Sequence, residues 1–213
     1  MAGFTTPGGT VKNFLSQIPG MKYFLADKED YEQVDNLFAD FSKILKESGY
    51  MHLQGTKPDT LGVALSNSPL GLAAYILEKF STWTNPSWVQ EQHGGLGDKH
   101  PISKDRMITN IMIYWINNCI TSSMRFYKEI FSMNQDFTRI PLTMPFAFAD
   151  FPNELFRVPK FLLKSKFPNL VSFSRMPTGG HFAAMEVPSL LAEDIISFVH
   201  KVEDNKVSGD QEL

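Results

Sequence analysis

The fold of this chain is decided by the stretch Gly179-Gly180-His181-Phe182-Ala183-Ala184-Met185-Glu186-Val187-Pro188. An apolar run typical of a strand precedes it, and a pattern typical of an amphipathic helix follows it. Two adjacent glycines allow a tight turn and a close approach to another surface. A histidine on such a turn, here His181, can act as a base near neutral pH. Alone, a Gly-Gly-His turn is more often a loop without a chemical role, so its surroundings must decide.

The last 75 residues or so predict alternating strands and helices. In chain order we predict a strand over Ile140–Phe148, a loop over Phe151–Leu155, a helix over Val158–Lys166, a strand over Leu170–Ser174 and a helix over Pro188–Val202. This order is typical of a parallel sheet and places the chain in the α/β class. Glu154 and His181 would then both lie at the carboxyl ends of strands, where α/β proteins carry their sites.

The first 130 residues or so are predicted to be helical. The predicted helices are 11–25, Asp27–Leu45 with Asp27 or Asp30 as its cap, Thr56–Ser66 with an N-cap at its start, Ser68–Phe80 and Ser103–Phe131. The segments Ser48–Pro58 and Thr82–Pro101 are predicted loops. The latter contains His93-Gly94-Gly95, which superficially resembles a lipase oxyanion loop, but no strand precedes it and we interpret it as a turn.

Composition and charge exclude several classes of function. The chain has 213 residues with 43% hydrophobic content, which suits one domain, or one domain and part of another. A net charge of −3 gives no general attraction to nucleic acid or anionic membranes. Cys119 is the single cysteine, so no internal disulfide forms, and we predict a small core residue within a helix. The apolar stretch Ile108–Ile120 is too short to span a membrane, and residues 1–10 do not resemble a signal peptide.

Glu154 and His181 have the chain order of a catalytic pair. A carboxylate bonded to one imidazole nitrogen fixes the tautomer and strengthens the other nitrogen as a base. In α/β-hydrolases the acid precedes the histidine, as it does here, and a nucleophile on a Gly-x-(Ser/Asp/Cys)-x-Gly turn precedes both. No such turn occurs in this sequence.

Five longer segments carry a family resemblance. They are Glu47-Ser48-Gly49-Tyr50-Met51-His52, Thr56-Lys57-Pro58-Asp59-Thr60, Ser68–Thr84, Ser122–Glu129 and Gly179–Glu186. Together they closely resemble the C-terminal half of microsomal epoxide hydrolases, including the juvenile-hormone epoxide hydrolases of arthropods, from about residue 11 to 202. The resemblance implies a partial α/β-hydrolase fold, with a helical cap over residues 1–137, the last two parallel strands and helices of the core over 138–203, and a polar tail over 204–213.

The resemblance also implies a mechanism for converting apolar epoxides into vicinal diols. An aspartate opens the epoxide and forms an alkyl-enzyme ester. Tyr50 and Tyr127 match the two tyrosines that donate hydrogen bonds to the epoxide oxygen. His181 matches the base that activates water to hydrolyse the ester, and Glu154 matches the acid that orients it. Two phenol donors in a dry pocket stabilise the developing alkoxide without a strong acid.

Three parts of the family are missing from the sequence. These are the Gly-Gly-Asp-Trp-Gly type nucleophile turn, the His-Gly-(aromatic)-Pro oxyanion loop and the N-terminal membrane anchor, which we expect upstream of Met1. That anchor holds the full-length family on the endoplasmic-reticulum membrane, so the location of this chain is unknown. Segment Pro141–Asp150 also differs from the usual Val-Pro-Thr-Gly strand. Without the aspartate, the isolated chain is predicted to be inactive.

Two other functions compete with this interpretation. A non-catalytic paralogue could bind apolar ligands or a partner hydrolase chain, and two strands without the rest of a sheet would favour self-association through an exposed edge. A carboxylesterase shares the acid and histidine but needs a serine turn, and it gives no role to the segments around Tyr50 and Tyr127.

The other aromatic and histidine residues are predicted to be structural. Tyr75, Tyr114 and the three tryptophans are predicted core or pocket wall, and His52, His93, His100 and His200 are predicted surface or capping residues. No group of them has the spacing of metal ligands, so we predict no metal and no cofactor.

Overall fold

The computed structural model describes residues 45–132, 140–155 and 157–209, together with Lys28, and for residues 205–209 it describes the backbone alone. The predicted helices over residues 11–25 and Asp27–Leu45 lie outside the described part, except that residues 45–47 are helical. The described helices and strands are α1 (Gly49–Thr56), α2 (Pro58–Ser66), α3 (Pro69–Thr82), α4 (Lys104–Ile116), α5 (Ile120–Ser132), β1 (Phe146–Asp150), α6 (Lys160–Lys166), β2 (Leu170–Arg175), α7 (Ala183–Glu186) and α8 (Pro188–Gly209).

Segment 48–58, predicted to be a loop, forms α1. Its apolar residues do not repeat at helical spacing, so the pattern gave no sign of a helix. Close packing against α5 explains it: a Cβ at Gly55 would lie 2.4 Å from the Phe131 ring, and one at Gly62 on α2 would lie 2.4 Å from Thr121. Glycines at these two positions let the three helices approach closely, and tertiary packing then stabilises a helix of weak propensity.

The predicted N-cap of α2 is wrong, whereas the start of α3 agrees with its prediction. Thr56 Oγ1 donates to the carbonyl of His52 within α1 and does not cap α2, which begins at Pro58. Proline fits the first helical position because its missing N–H would have no partner there. Ser68 caps α3, since its Oγ accepts the N–H of Gly71 at 2.9 Å.

The single helix predicted over Ser103–Phe131 is two helices, α4 and α5. The chain breaks at Asn117–Cys119, where Asn118 has a φ of 47°. Asparagine adopts this left-handed conformation more readily than most residues, and sequence periodicity does not report it. Cys119 therefore lies in the break, half-buried, and not inside a helix as predicted.

The two predicted strands pair in parallel, and α6 crosses between them. Phe146–Asp150 pairs with Leu170–Arg175. β1 begins six residues later than predicted, because Pro141 and Pro145 have no N–H to donate to a partner strand. At the other end of the chain, α8 continues to Gly209, beyond the predicted end at Val202.

The predicted loop Thr82–Pro101 contains two 3₁₀ helices, Pro86–Gln90 and Gln92–Gly95. His93, Gly94 and Gly95 all have positive φ, in agreement with a turn. His100, predicted to be a surface or capping residue, is buried and bonds backbone groups as a capping residue does. Its Nδ1 accepts the N–H of Ile102 at 3.0 Å, and its Nε2 lies 3.0 Å from the carbonyl of Phe80. These bonds tie the loop to the end of α3.

The core is divided between the helices, the α/β part and their junction. One cluster of Leu65, Leu72, Ile111, Ile120 and Met124 lies among α2–α5, and a second of Val158, Leu162, Leu163 and Phe167 packs α6 on the strands. A third cluster joins Phe80, Ile102 and Met107 to Phe182 on the His181 turn. The junction cluster therefore holds that turn against the end of α3.

Within the described residues, no single helix is long and apolar enough to cross a membrane, although α2 and α3, which meet at 118°, satisfy the length and composition test as a bent pair.

Candidate active site

The Gly-Gly-His turn docks directly on the carboxyl end of α3. His181 donates its backbone N–H to the carbonyl of Trp83 at 3.1 Å. A Cβ on Gly180 would lie 2.7 Å from that carbonyl oxygen and 2.9 Å from the carbonyl oxygen of Thr84. Gly179 has a φ of 104°, which side-chain-bearing residues rarely adopt. Both glycines are therefore required to place His181 at this junction.

The structure brings His181 and Glu154 together. His181 Nδ1 lies 2.9 Å from Glu154 Oε1, and the same oxygen accepts the N–H of Leu155 at 2.8 Å. Asn153 donates its backbone N–H to the carbonyl of Gly179 at 3.1 Å, so the two loops are also joined by their backbones. With Nδ1 bonded to a carboxylate, Nε2 is the nitrogen left to accept a proton.

Tyr50 on α1 and Tyr127 on α5 face each other. Their ring centroids are 5.9 Å apart, with the ring planes at 79°. Burial raises the pKa of Tyr50 above its ordinary value, and the neighbouring Tyr127 raises it further. Tyr50 is therefore a neutral hydrogen-bond donor at physiological pH.

Trp83 connects the tyrosine pair with the histidine pair. Its ring centroid lies 5.2 Å from that of Tyr50 and 4.9 Å from that of His181, edge to face in both cases. Within the described part of the chain, Trp83 Nε1 and Thr84 Oγ1 are buried without a hydrogen-bond partner. Trp83 is predicted to belong to the core or the pocket wall. It is buried and also lines the cavity, so it belongs to both.

A cavity of about 300 Å³ lies beside these residues. Its wall consists of Tyr50, Gln54, Tyr75, Ile76, Lys79, Phe80, Trp83, Asn110, Tyr114, Ile120, Ser123, Tyr127 and Phe182. Tyr75 and Tyr114 lie in this wall, as predicted. The cavity joins aromatic surface to a few polar groups, which is typical of small-molecule sites.

Lys79 lies in this wall and was not singled out by sequence analysis. Its Nζ lies 5.2 Å from the ring centroids of both Tyr50 and Trp83. It also pairs with Glu47 at 3.5 Å and with Glu78 at 2.8 Å. The ammonium group therefore holds the two aromatic rings together through cation–π contacts while the carboxylates balance its charge.

Glu186 holds the His181 turn through hydrogen bonds to its backbone, a role that the sequence did not indicate. Its Oε1 accepts the N–H of Phe182 at 2.8 Å, and the N–H of Gly180 also bonds to the carboxylate. Burial raises the pKa of Glu186 above its ordinary value, and the nearby Glu154 adds to the rise. Glu186 lies in the Gly179–Pro188 segment together with His181, but its spacing of five positions from the histidine does not by itself reveal this role.

An ion-pair cluster fixes the loop that carries Glu154. The buried Asp150 ends β1 and accepts two bonds from Arg157, at 3.0 and 2.6 Å, and one from Arg175 at 3.1 Å. Asp150 and Arg157 flank the Glu154 loop and tie its ends together. No local pattern predicts this cluster, because Asp150 and Arg157 lie on either side of a loop and Arg175 lies 25 residues beyond Asp150.

Replacing Glu186 by glutamine is expected to change how stability depends on pH. The folded-state pKa of Glu186 is raised above the ordinary value of 4.5, so its stabilising contribution is complete below about pH 4.5 and is lost as pH rises above it. The free energy of unfolding of Glu186→Gln, relative to that of the native chain, should therefore increase between pH 4 and pH 7 in urea titrations. The exposed Glu193→Gln on α8 is the matched control, and a difference for Glu186→Gln that stays constant with pH would contradict the prediction.

Among the described residues, no group of three or more histidine, cysteine, aspartate or glutamate side chains could hold a metal ion. The chemistry available in this part of the chain is therefore that of phenols, an imidazole and carboxylates.

No protein-family model matches the chain. "Epoxide hydrolase 1" of Sus scrofa is 46% identical over 197 residues, which cover 91% of this chain and 43% of that protein. "Juvenile hormone epoxide hydrolase 2" of Ctenocephalides felis is 42% identical over 208 residues, which cover 96% of this chain and 44% of that protein.

Solved structures show the same relationship. The crystal structure of juvenile hormone epoxide hydrolase from the silkworm Bombyx mori matches with a TM-score of 0.88 at 38% identity, over 96% of this chain and 48% of that one. Aspergillus niger epoxide hydrolase matches with a TM-score of 0.61 at 31% identity, over 77% of this chain and 38% of that one. The chain spans less than half the length of these relatives. It belongs to the family of microsomal and juvenile hormone epoxide hydrolases, corresponds to their C-terminal half, and has a partial α/β-hydrolase fold.

Proposed function

We propose that this chain forms the cap and the base-carrying part of the core in an enzyme that adds water to apolar epoxides and releases vicinal diols. Residues 1–137 form the cap, residues 138–203 the core part and residues 204–213 the tail. The observation that carries the proposal is the placement of Trp83, whose ring contacts Tyr50 on one side and His181 on the other. The two phenols line the cavity, and the base lies behind one of its wall residues, Trp83.

The first step of the proposed reaction uses the two phenols. A carboxylate of an aspartate attacks an epoxide carbon, the carbon–oxygen bond breaks, and the oxygen gains negative charge. Tyr50 and Tyr127 donate hydrogen bonds to that oxygen and stabilise the charge. The oxygen then takes a proton from one of the two phenols, so that the step leaves an ester between the aspartate and the alkyl group, a new hydroxyl on the neighbouring carbon and a phenolate.

The second step uses His181 and Glu154. His181 Nε2 takes a proton from water, and the resulting hydroxide attacks the ester carbonyl. The ester bond breaks, the diol leaves and the aspartate is restored, and the imidazolium returns its proton through solvent to the phenolate. Glu154, bonded to Nδ1 at 2.9 Å, holds the ring and stabilises the imidazolium that forms.

The aspartate has no candidate turn within residues 1–213. We therefore propose that the aspartate belongs to the half of the family that this chain does not span. The location of the family at the endoplasmic-reticulum membrane is part of the same proposal, and fractionation of cells that produce the whole protein tests it.

Removing either phenol is expected to slow epoxide opening. In a chimera that joins this chain to the N-terminal half of the Bombyx mori enzyme, Tyr50→Phe or Tyr127→Phe should each lower the rate of ester formation about 10²-fold, as loss of one oxyanion donor does in other enzymes. Stopped-flow measurement with styrene oxide separates this step from hydrolysis. Tyr114→Phe, in the same cavity wall, is the control. A Tyr50 variant that loses hydrolysis of the ester but keeps its formation would contradict the assigned role.

A second candidate is a non-catalytic chain that binds apolar ligands or a partner hydrolase chain. The observation that favours it is apolar surface: Ile108, Ile113 and Ile116 on α4 are each more than half exposed. Such side chains are common at contact surfaces. Light scattering of the purified chain distinguishes the two, because a monomer without a bound ligand or partner counts against the second candidate.

A further inference from the structure

The cavity contains a third phenol that the proposed mechanism does not use. Tyr75 lies on α3, and Gln54 of α1 donates its Nε2 hydrogen to the Tyr75 hydroxyl oxygen at 3.0 Å. Gln54 is 8% exposed, so this amide is held in place by its surroundings. Both side chains belong to the cavity wall.

This bond determines what the Tyr75 hydroxyl can still do. A phenol has one proton to donate and accepts through its oxygen. Gln54 occupies the accepting side, so the proton of Tyr75 is left to donate. Among the described residues, the bond from Gln54 is the one side-chain hydrogen bond that Tyr75 makes. A half-buried donor in a cavity wall without a protein acceptor is suited to a ligand.

The position of Tyr75 separates it from the histidine. Tyr75 and Tyr114 pack against the helical core cluster of α2–α5, whereas Phe80 and Phe182 belong to the junction cluster beside His181. Tyr75 therefore lies toward the end of the cavity away from His181, with Tyr50 and Tyr127 close enough to interact with it electrostatically. Burial raises the pKa of Tyr75, which keeps it a proton donor.

We propose that Tyr75, oriented by Gln54, is an oxygen-binding subsite that selects epoxides carrying a second acceptor oxygen, such as an ether or a carbonyl, close to the oxirane ring. The inference rests on the proposed function, since it takes the cavity to be the epoxide site. It adds that the preferred epoxide is apolar in its skeleton and polar at one further position.

The test uses two probes of nearly the same shape. Phenyl glycidyl ether carries an ether oxygen where 4-phenyl-1,2-epoxybutane carries a methylene group. In both probes one further methylene group joins this position to the oxirane ring. Their dissociation constants for the 213-residue chain are measured by NMR titration. One neutral hydrogen bond corresponds to roughly fivefold in affinity, so the native chain should bind the ether about fivefold more tightly. Tyr75→Phe should weaken binding of the ether and leave binding of 4-phenyl-1,2-epoxybutane unchanged, so that the two dissociation constants become similar. Tyr114→Phe should keep the native preference for the ether.

Each outcome separates the subsite from the proposed function. Equal affinities in the native chain, or an unchanged ratio in Tyr75→Phe, overturn the subsite and leave the epoxide site intact. If the native chain binds neither probe, the subsite is overturned, whereas the proposed function is judged separately by turnover in the chimera with the N-terminal half. Should Tyr75→Phe fail to fold, Gln54→Leu replaces it: loss of the orienting amide should lower the preference at least twofold, and an unchanged ratio overturns the proposal.

Discussion

His181→Ala is expected to lower the rate of diol formation about 10³-fold while an alkyl-enzyme ester accumulates. The change is made in the chimera of this chain with the N-terminal half of the Bombyx mori enzyme. A general base contributes roughly 10²–10⁴-fold to a proton-transfer step, and His181 is the imidazole held by Glu154 at 2.9 Å beside the cavity. Ester formation needs the aspartate and the phenols and makes no use of His181. His181→Ala should therefore slow hydrolysis of the ester and leave its formation unchanged.

The measurement combines steady-state turnover of styrene oxide with mass spectrometry of the quenched protein. The native chimera should turn over, and the His181→Ala chimera should carry one alkyl group for each chain. His200→Ala, an exposed histidine on α8, is the control. Equal loss of ester formation and hydrolysis would contradict the role of His181. Diol formation by the purified 213-residue chain, without any N-terminal half, would overturn the assignment of the nucleophile to the other half.

Gly180→Ala is expected to lower the free energy of unfolding by about 2 kcal/mol, within the range for inserting a methyl group into a packed region. The added Cβ would lie 2.7 Å from the carbonyl oxygen of Trp83 and 2.9 Å from that of Thr84. Both atoms are backbone, so neither can rotate away. The turn must move off the end of α3, and the bond from the His181 N–H to the Trp83 carbonyl must lengthen or break.

Urea unfolding monitored by circular dichroism gives the stability of the Gly180→Ala variant. Gly97→Ala is the matched control, since nothing lies within 4 Å of a Cβ there. The same displacement should lower turnover in the chimera, because His181 would no longer keep its contacts with both Glu154 and Trp83. If Gly180→Ala has the same free energy of unfolding as the native chain, the prediction is wrong, because the turn can then move away from α3 without destabilising the fold.

The α/β half of the fold could be predicted from the sequence because its signals are local. Leu170–Arg175 has Leu170, Val171 and Phe173 among serines and the right length for a strand, and prolines and glycines mark its neighbouring loops. The order of strand and helix then implies parallel pairing, and parallel pairing puts the Glu154 loop beside the His181 turn. The site residues in the cap, Tyr50 and Tyr127, came from family resemblance, since no local pattern connects positions 77 residues apart.

The remaining features depend on contacts between distant segments. The helix around Tyr50 exists because Gly55 and Gly62 admit side chains of α5, and its own apolar spacing is not helical. The break at Asn118 is a backbone conformation that hydrophobic periodicity does not encode. His100 is buried because backbone groups of Phe80 and Ile102 bond both of its nitrogens.

The sequence by itself determined the order of the elements, the parallel strand pair and the acid and base at the strand ends, because periodicity and turn residues act over a few positions. Only the tertiary structure decided how the cap meets the core, through the Trp83 carbonyl that receives the His181 N–H, and how two helices build the cavity wall, through the Gln54–Tyr75 pair. Each of these needs two segments to be placed within about 3 Å of each other, and that distance is set by packing.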